Sequence, residues 1–149
     1  MSKFTESWLR ADFTEAELAL QPGDTFFIPT PDNPTRHLWI VLGPPEPDGR
    51  ACCVNVTSMG DHIADTTVIL EVGDHPFIEK RSVVNYAKAA NLDIRKIEVA
   101  LNDPLVPRTN WKKFDCSTPQ LLERVRRGLL ASKHTKRAIK DQCRKLWSL

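Results

Sequence analysis

His37-Leu38-Trp39-Ile40-Val41-Leu42, followed by Gly43-Pro44-Pro45-Glu46-Pro47-Asp48-Gly49 and then Ala51-Cys52-Cys53-Val54-Asn55-Val56-Thr57, is the stretch that decides the fold. The first run is apolar at nearly every position, as a strand covered on both faces is. The second is a loop by composition, because proline removes ladder donors and glycine relaxes the backbone. The third returns as a strand. Upstream, Gln21-Pro22-Gly23-Asp24 is a turn signal before the β-rich run Thr25-Phe26-Phe27-Ile28, which Pro29 and Pro31 stop. Downstream, turns at Ser58-Met59-Gly60-Asp61 and Gly73-Asp74-His75-Pro76 precede Thr66 to Glu71 and Ser82 to Ala87. Five short strands between Gly/Pro loops predict a small, mostly antiparallel barrel or sandwich. Leu92 to Leu101, apolar at 92, 94, 97, 99 and 101, fits a last strand and a helical turn equally.

Past Asp103-Pro104 and Pro107 the period changes. Ser117-Thr118-Pro119 reads as a helix start, with a hydroxyl for the free N–H groups and proline at the first helical position. Leu121, Leu122, Val125, Leu129 and Leu130 then share a face. A second helix is predicted from about Lys133, with Ala138, Ile139, Cys143, Leu146 and Trp147 inward and the cations outward. The expected organisation is an N-terminal arm over 1–20, a β-barrel over 21–107 and a basic helical hairpin packed on it over 108–149, mainly β with α.

The formal net charge of +2 over 149 residues hides a division. Met1 to Pro107 holds 9 Lys+Arg and 16 Asp+Glu, net −7, and Arg108 to Leu149 holds 12 and 3, net +9. A basic segment can hold nucleic acid or the protein's own acidic body. No apolar run reaches the roughly 20 residues of a membrane helix, and MSKFTESWLR lacks signal-peptide character, so no membrane partner is expected. Cys52 and Cys53 are adjacent and point to opposite faces of a strand, so with Cys116 and Cys143 they read as reduced thiols in a cytoplasmic protein. There is no Cys-x-x-Cys, no His-x-x-x-His and no phosphate-cradling glycine loop, so neither metal nor cofactor is expected.

The order of elements resembles the PemK/MazF family of ribonuclease toxins. Gly23-Asp24-Thr25-Phe26-Phe27-Ile28 is similar to that family's first strand, and a loop ending in Arg36 before an apolar strand is similar to its arginine loop. Val56-Thr57-Ser58 resembles its strand closing in Thr-Ser, and Glu79-Lys80-Arg81-Ser82-Val83-Val84 its charged turn before Ser-Val-Val. The likeness spans roughly residues 22–100. His37-Leu38 and Asn85-Tyr86 depart from the family pattern, and the helical hairpin extends past it.

The resemblance implies an SH3-like barrel and a metal-independent endoribonuclease toxin that cleaves single-stranded RNA. It also implies homodimers and neutralisation by an antitoxin protein. By resemblance Arg36, Thr57 and Ser58 are site positions. Cleavage needs a proton acceptor for the ribose 2′-OH, a donor for the leaving oxygen and positive charge on the phosphorane, and Arg36 suits the last because its fork matches two phosphate oxygens. His37 and His75 are candidate acids or bases. The structural readings are a solvated Arg36 facing Asp32 or Asp24, hydroxyls closing a turn at Thr57 and Ser58, and histidines that anchor loops. Lys80, Arg81, Arg124, Arg127, Lys136, Arg137 and Lys140 are the candidate nucleic-acid contacts; otherwise these cations are the wet face of two packed helices. The alternative function is a barrel without chemistry that binds nucleic acid or protein.

Overall fold

The computed structural model describes residues 19–28, 37–60, 65–106 and 111–147. It is a curled, six-stranded antiparallel sheet with three helices. The strands are β1 (Thr25–Phe27), β2 (Leu38–Val41), β3 (Arg50–Ser58), β4 (Ile69–Leu70), β5 (Ser82–Asp93) and β6 (Lys112–Phe114), in the spatial order β4-β5-β3-β2-β1-β6. The helices are α1 (Ile94–Asn102), α2 (Pro119–Ala131) and α3 (Arg137–Trp147).

Strict alternation along the central strands sorts side chains into two cores. Leu38, Ile40, Cys52, Val54, Val56 and Val84 join Leu121, Val125 and Leu129 of α2 and Ile139 and Cys143 of α3 on one face. Trp39, Val41, Ala51 and Cys53 join Phe26, Leu20 and the α1 residues Ile94, Ile97 and Leu101 on the other. Cys52 and Cys53 therefore do part to opposite faces, and all four cysteines are free thiols. Between the pairs Cys53↔Ala90 and Asn55↔Asn85, two steps along β3 match five along β5. The surplus at Tyr86 to Ala89 is a bulge that bends the strand, and Tyr86 and Ala89 turn into the first core.

The elements differ from expectation in several places. The ambiguous segment is helix from Ile94, because Asp93 caps it by accepting from the Lys96 amide at 3.1 Å. β4 shrinks to two residues, because the Asp65 carboxylate draws Thr67 into a local turn through its amide at 3.0 Å and its hydroxyl at 2.6 Å. The sheet does not stop at 107: β6 pairs with β1 through Thr25↔Phe114 and Phe27↔Lys112, so the segment assigned to the hairpin begins with an edge strand. The last helix starts at Arg137, not Lys133, and Ala138 is exposed rather than inward. Trp147 does lie on the apolar side, packed half-buried against the first core. The first helix of the pair begins as its signals require, with Thr118 Oγ1 accepting from the Leu121 amide at 3.1 Å and Pro119 at the start.

The α2–α3 connection is tied down by Asp65. Its carboxylate accepts from Ser132 Oγ at 2.7 Å, and Ser132 Oγ accepts in turn from the His134 amide at 3.1 Å. Helix α2 lies close on β5 at Gly128, where Tyr86 rises to donate to the Val125 carbonyl at 2.7 Å. The N-terminal arm, but for its last two residues, and Arg36 lie outside the described residues.

Candidate functional site

Antiparallel pairing brings the start of β2, the end of β3 and the start of β5 to one end of the sheet. Leu38 faces Val56, so His37 stands in register with Thr57, and Thr57 and Ser58 pair in turn with Val83 and Ser82. Lys80 and Arg81 immediately precede Ser82. Continuing the ladder one step past Leu38↔Val56 thus brings His37 beside Thr57 and Ser58, which lie 20 and 21 residues later in the chain. Thr57 and His37 are half-buried and Ser58 is exposed. By alternation His37 and Thr57 belong to the face that carries α1, in line with Trp39, Asn55 and Asn85 one step further in. Asn55 is 7% exposed and its Oδ1 is buried with no hydrogen-bond partner among the described residues, an arrangement for which the sequence offered no signal beyond a polar residue inside an apolar strand.

His75 lies elsewhere. Its Nδ1 accepts from the Phe77 amide at 3.0 Å, which leaves the ring hydrogen on Nε2, donated to the Asp115 carbonyl at 2.6 Å. Thr25 Oγ1 donates to the same carbonyl at 2.8 Å. The ring is buried, and the adjoining Phe77 packs edge-on against Phe27, centroids 5.0 Å apart, with Phe114 4.7 Å from Phe27. With both nitrogens engaged, His75 clamps the β4–β5 loop over β1 and β6, so its candidacy as an acid or base is replaced by a structural role.

The candidate cations divide by partner. Arg81 is paired with Glu71 at 2.9 Å, Arg124 with Asp74 at 3.5 Å and Arg127 with Glu123 at 2.8 Å. Arg124 also donates to the Ile69 carbonyl. Lys80, Lys136, Arg137 and Lys140 form no ion pair among the described residues. The cations of α2 and α3 sit on helices that cover the face opposite to His37 and Thr57, so the two sets do not form one continuous surface through the sheet end.

The titrating thiols are structural in character. Burial pushes Cys53 far up, and the hydrogen bond with Cys143 together with burial pushes Cys52 far up. Cys143 is drawn down by that same hydrogen bond, against burial, with help from the Arg126 charge. No three His, Cys, Asp or Glu among the described residues are grouped to hold a metal ion, and no described helix is long and apolar enough to cross a membrane. No family model, no curated protein and no solved structure matches this chain.

Proposed function

We propose that the chain is a metal-independent endoribonuclease of the PemK/MazF type, a toxin neutralised by an antitoxin protein, acting on single-stranded RNA at the end of the sheet where β2 begins and β3 ends. The curled sheet corresponds, on this reading, to the SH3-like barrel of that family, and a homodimer is expected. The observation that carries the proposal is the pairing of Leu38 with Val56, whose continuation by one residue sets His37 opposite Thr57: an imidazole, a hydroxyl and, one residue away in sequence, the Arg36 guanidinium are what 2′-OH attack requires. His37 takes the proton from the ribose 2′-OH and returns it to the leaving 5′-oxygen, the Thr57 and Ser58 hydroxyls donate to phosphate oxygens, and Arg36 supplies positive charge as the phosphorane forms.

The test is cleavage of an unstructured RNA by purified protein in excess EDTA. Arg36→Ala and His37→Ala each lower the rate by about 100- to 10,000-fold, and Thr57→Ala by less, with the circular dichroism spectrum unchanged. RNA left intact by folded protein, or full activity in both Arg36→Ala and His37→Ala, refutes it. A second reading, a binding module without chemistry, is favoured by the unpaired cations of α3 on the opposite face; RNA binding without cleavage, unaltered in Arg36→Ala, would select it.

A further inference from the structure

The geometry points to a second nucleic-acid contact on the helical side of the molecule: a phosphate track along α3 that runs into a cleft where Trp147 stacks one base of a single strand. The inference rests on the RNA-directed reading above for the identity of the polyanion.

Lys136, Lys140, Arg144 and Trp147 follow one another at intervals of four, four and three residues, which places them on one stripe of a helix. Lys136 precedes Arg137, yet its carbonyl accepts from the Lys140 amide at 3.1 Å, so the helical spacing extends back to it. The stripe is about 16 Å long, enough for a few nucleotides. From Lys133 to Lys145 the only carboxylate is Asp141, 3.6 Å from Arg144 in an exposed pair that screens little of the charge. Lys133, Lys136, Arg137, Lys140 and Lys145 have no acidic partner among the described residues. The cations of the preceding helix at 124 and 127 are paired, so the free charge is concentrated here.

At its end the stripe meets a cleft of about 400 Å³ lined by Pro119, Leu122, Glu123, Arg126, Arg127 and Trp147. Its floor is apolar and its one carboxylate, Glu123, is taken by Arg127. Arg126 Nε donates to the Leu42 carbonyl at 2.8 Å, which holds its guanidinium over the Trp147 ring, 5.2 Å from the centroid. Burial works against the Arg126 charge, and no carboxylate offsets this among the described residues, so a phosphate oxygen recovers the loss. A half-buried indole flanked by oriented arginines, at the end of a row of free cations, has the two components of single-strand binding, a stacking platform and an electrostatic track. An acidic polypeptide would use the cations but has no use for a half-buried ring face beside them.

The test is fluorescence anisotropy of the full chain with a labelled 2′-O-methyl oligouridylate of twelve nucleotides, in EDTA, over a range of KCl. The 2′-O-methyl group blocks cleavage, so binding is read whether or not the sheet end is catalytic. The triple variant Lys136→Gln/Lys140→Gln/Arg144→Gln makes the slope of log K against log [KCl] shallower by about 2, at ~0.7 per phosphate neutralised on a single strand. Trp147→Ala weakens binding about five-fold or more, and Trp147→Phe, which keeps a ring, restores most of it. Lys96→Gln, on α1 and so on the opposite face of the sheet, leaves the slope unchanged. A wild-type slope in the triple variant overturns the track. Equal weakening by Trp147→Phe and Trp147→Ala, with helicity retained, overturns the stacking cleft. Displacement of the probe by polyglutamate at equal charge concentration overturns the nucleic-acid assignment in favour of an acidic protein.

Discussion

Replacing Gly128 by alanine tests the packing of α2 on the sheet, on which the placement of the whole helical side depends. A β-carbon there falls against Tyr86 Oη and Val68 Cγ2, well inside van der Waals contact, and 2.9 Å from Tyr86 Cζ. Neither neighbour has room to yield: Tyr86 is fully buried, Val68 nearly so, and the Tyr86 hydroxyl is held by the Val125 carbonyl. Overpacking of this kind costs about 1–3 kcal/mol. Pushing the ring aside leaves a buried hydroxyl short of its acceptor, about another 1–3 kcal/mol. Alanine returns about 1 kcal/mol through its higher helix propensity. The balance is a loss of roughly 3 kcal/mol, which at ~2–4 °C per kcal/mol for a chain of this size lowers Tm by roughly 6–12 °C. Thermal melts by far-UV circular dichroism and urea midpoints measure it. In a Tyr86→Phe background the oxygen that meets the new methyl is gone, so Gly128→Ala should cost at least about 1 kcal/mol less there than in the wild type. A Tm that is unchanged or raised in Gly128→Ala, or strict additivity of the two substitutions, refutes the reasoning.

Asp65 makes stability depend on acid. Burial opposes its ionisation, but hydrogen bonds from the Thr67 and Ser132 hydroxyls and the Thr67 amide, with the His134 charge, outweigh it and hold the carboxyl below its usual value. A depressed carboxyl contributes its stabilisation above the unfolded value of about 4 and loses it as pH falls through the folded one; Asp65→Asn should lower Tm at neutral pH and flatten the decline of Tm between about pH 5 and pH 2. His75→Ala should lower Tm by several degrees through loss of the loop clamp while the RNA cleavage rate per folded molecule stays near wild type, so a selective loss of cleavage would restore His75 to the chemistry. Cys116 is the exposed thiol, with burial and Asp24 raising its pKa, so titration with a disulfide reagent should find one slow, alkali-accelerated thiol in the native protein and four in denaturant. Rapid reaction of a second thiol in the native state would contradict the burial of Cys52, Cys53 and Cys143.

The elements that were legible in the sequence are those whose signal is local. β1 to β3 announce themselves through apolar runs between Gly/Pro loops, and α2 through Thr118 and Pro119. What was not legible depends on partners far along the chain. Lys112-Lys113-Phe114 has no alternation that distinguishes it from a loop, and becomes a strand only because β1, more than 80 residues earlier, offers an open edge. The bulge at Tyr86 to Ala89 is equally silent, since the contact it accompanies, the Tyr86 hydroxyl on the Val125 carbonyl, lies 39 residues on in the chain. At the candidate site, proximity of His37 to Thr57 followed from pairing adjacent strands and could be anticipated, whereas the diversion of His75 could not: its ring is satisfied by backbone atoms of residues 77 and 115, which no motif records.

The division of charge along the chain has a structural sequel. Part of the basic segment is spent on the acidic body: Lys113 reaches Asp24 at 3.5 Å, and Arg124 reaches Asp74 at the same distance. These contacts draw β6 to the start of β1 and α2 to the β4–β5 loop, so they orient the segment on the sheet rather than recruit anything from outside. If neutralising the body were the whole purpose of the basic segment, its cations would continue to find acids as the chain runs on. Among the described residues they do not: past Lys133 only Arg144 meets an acid, Asp141 of its own helix, and the positive charge accumulates on α3, where like charges on one exposed stripe repel and cost stability. A helix whose inner face already buries Ile139 and Cys143 needs no such stripe to pack. The unrelieved charge fits the anionic partner proposed above better than it fits the needs of the fold, and substitution of the half-buried Trp147 at its end is the measurement that separates a nucleic acid from an acidic protein in that proposal.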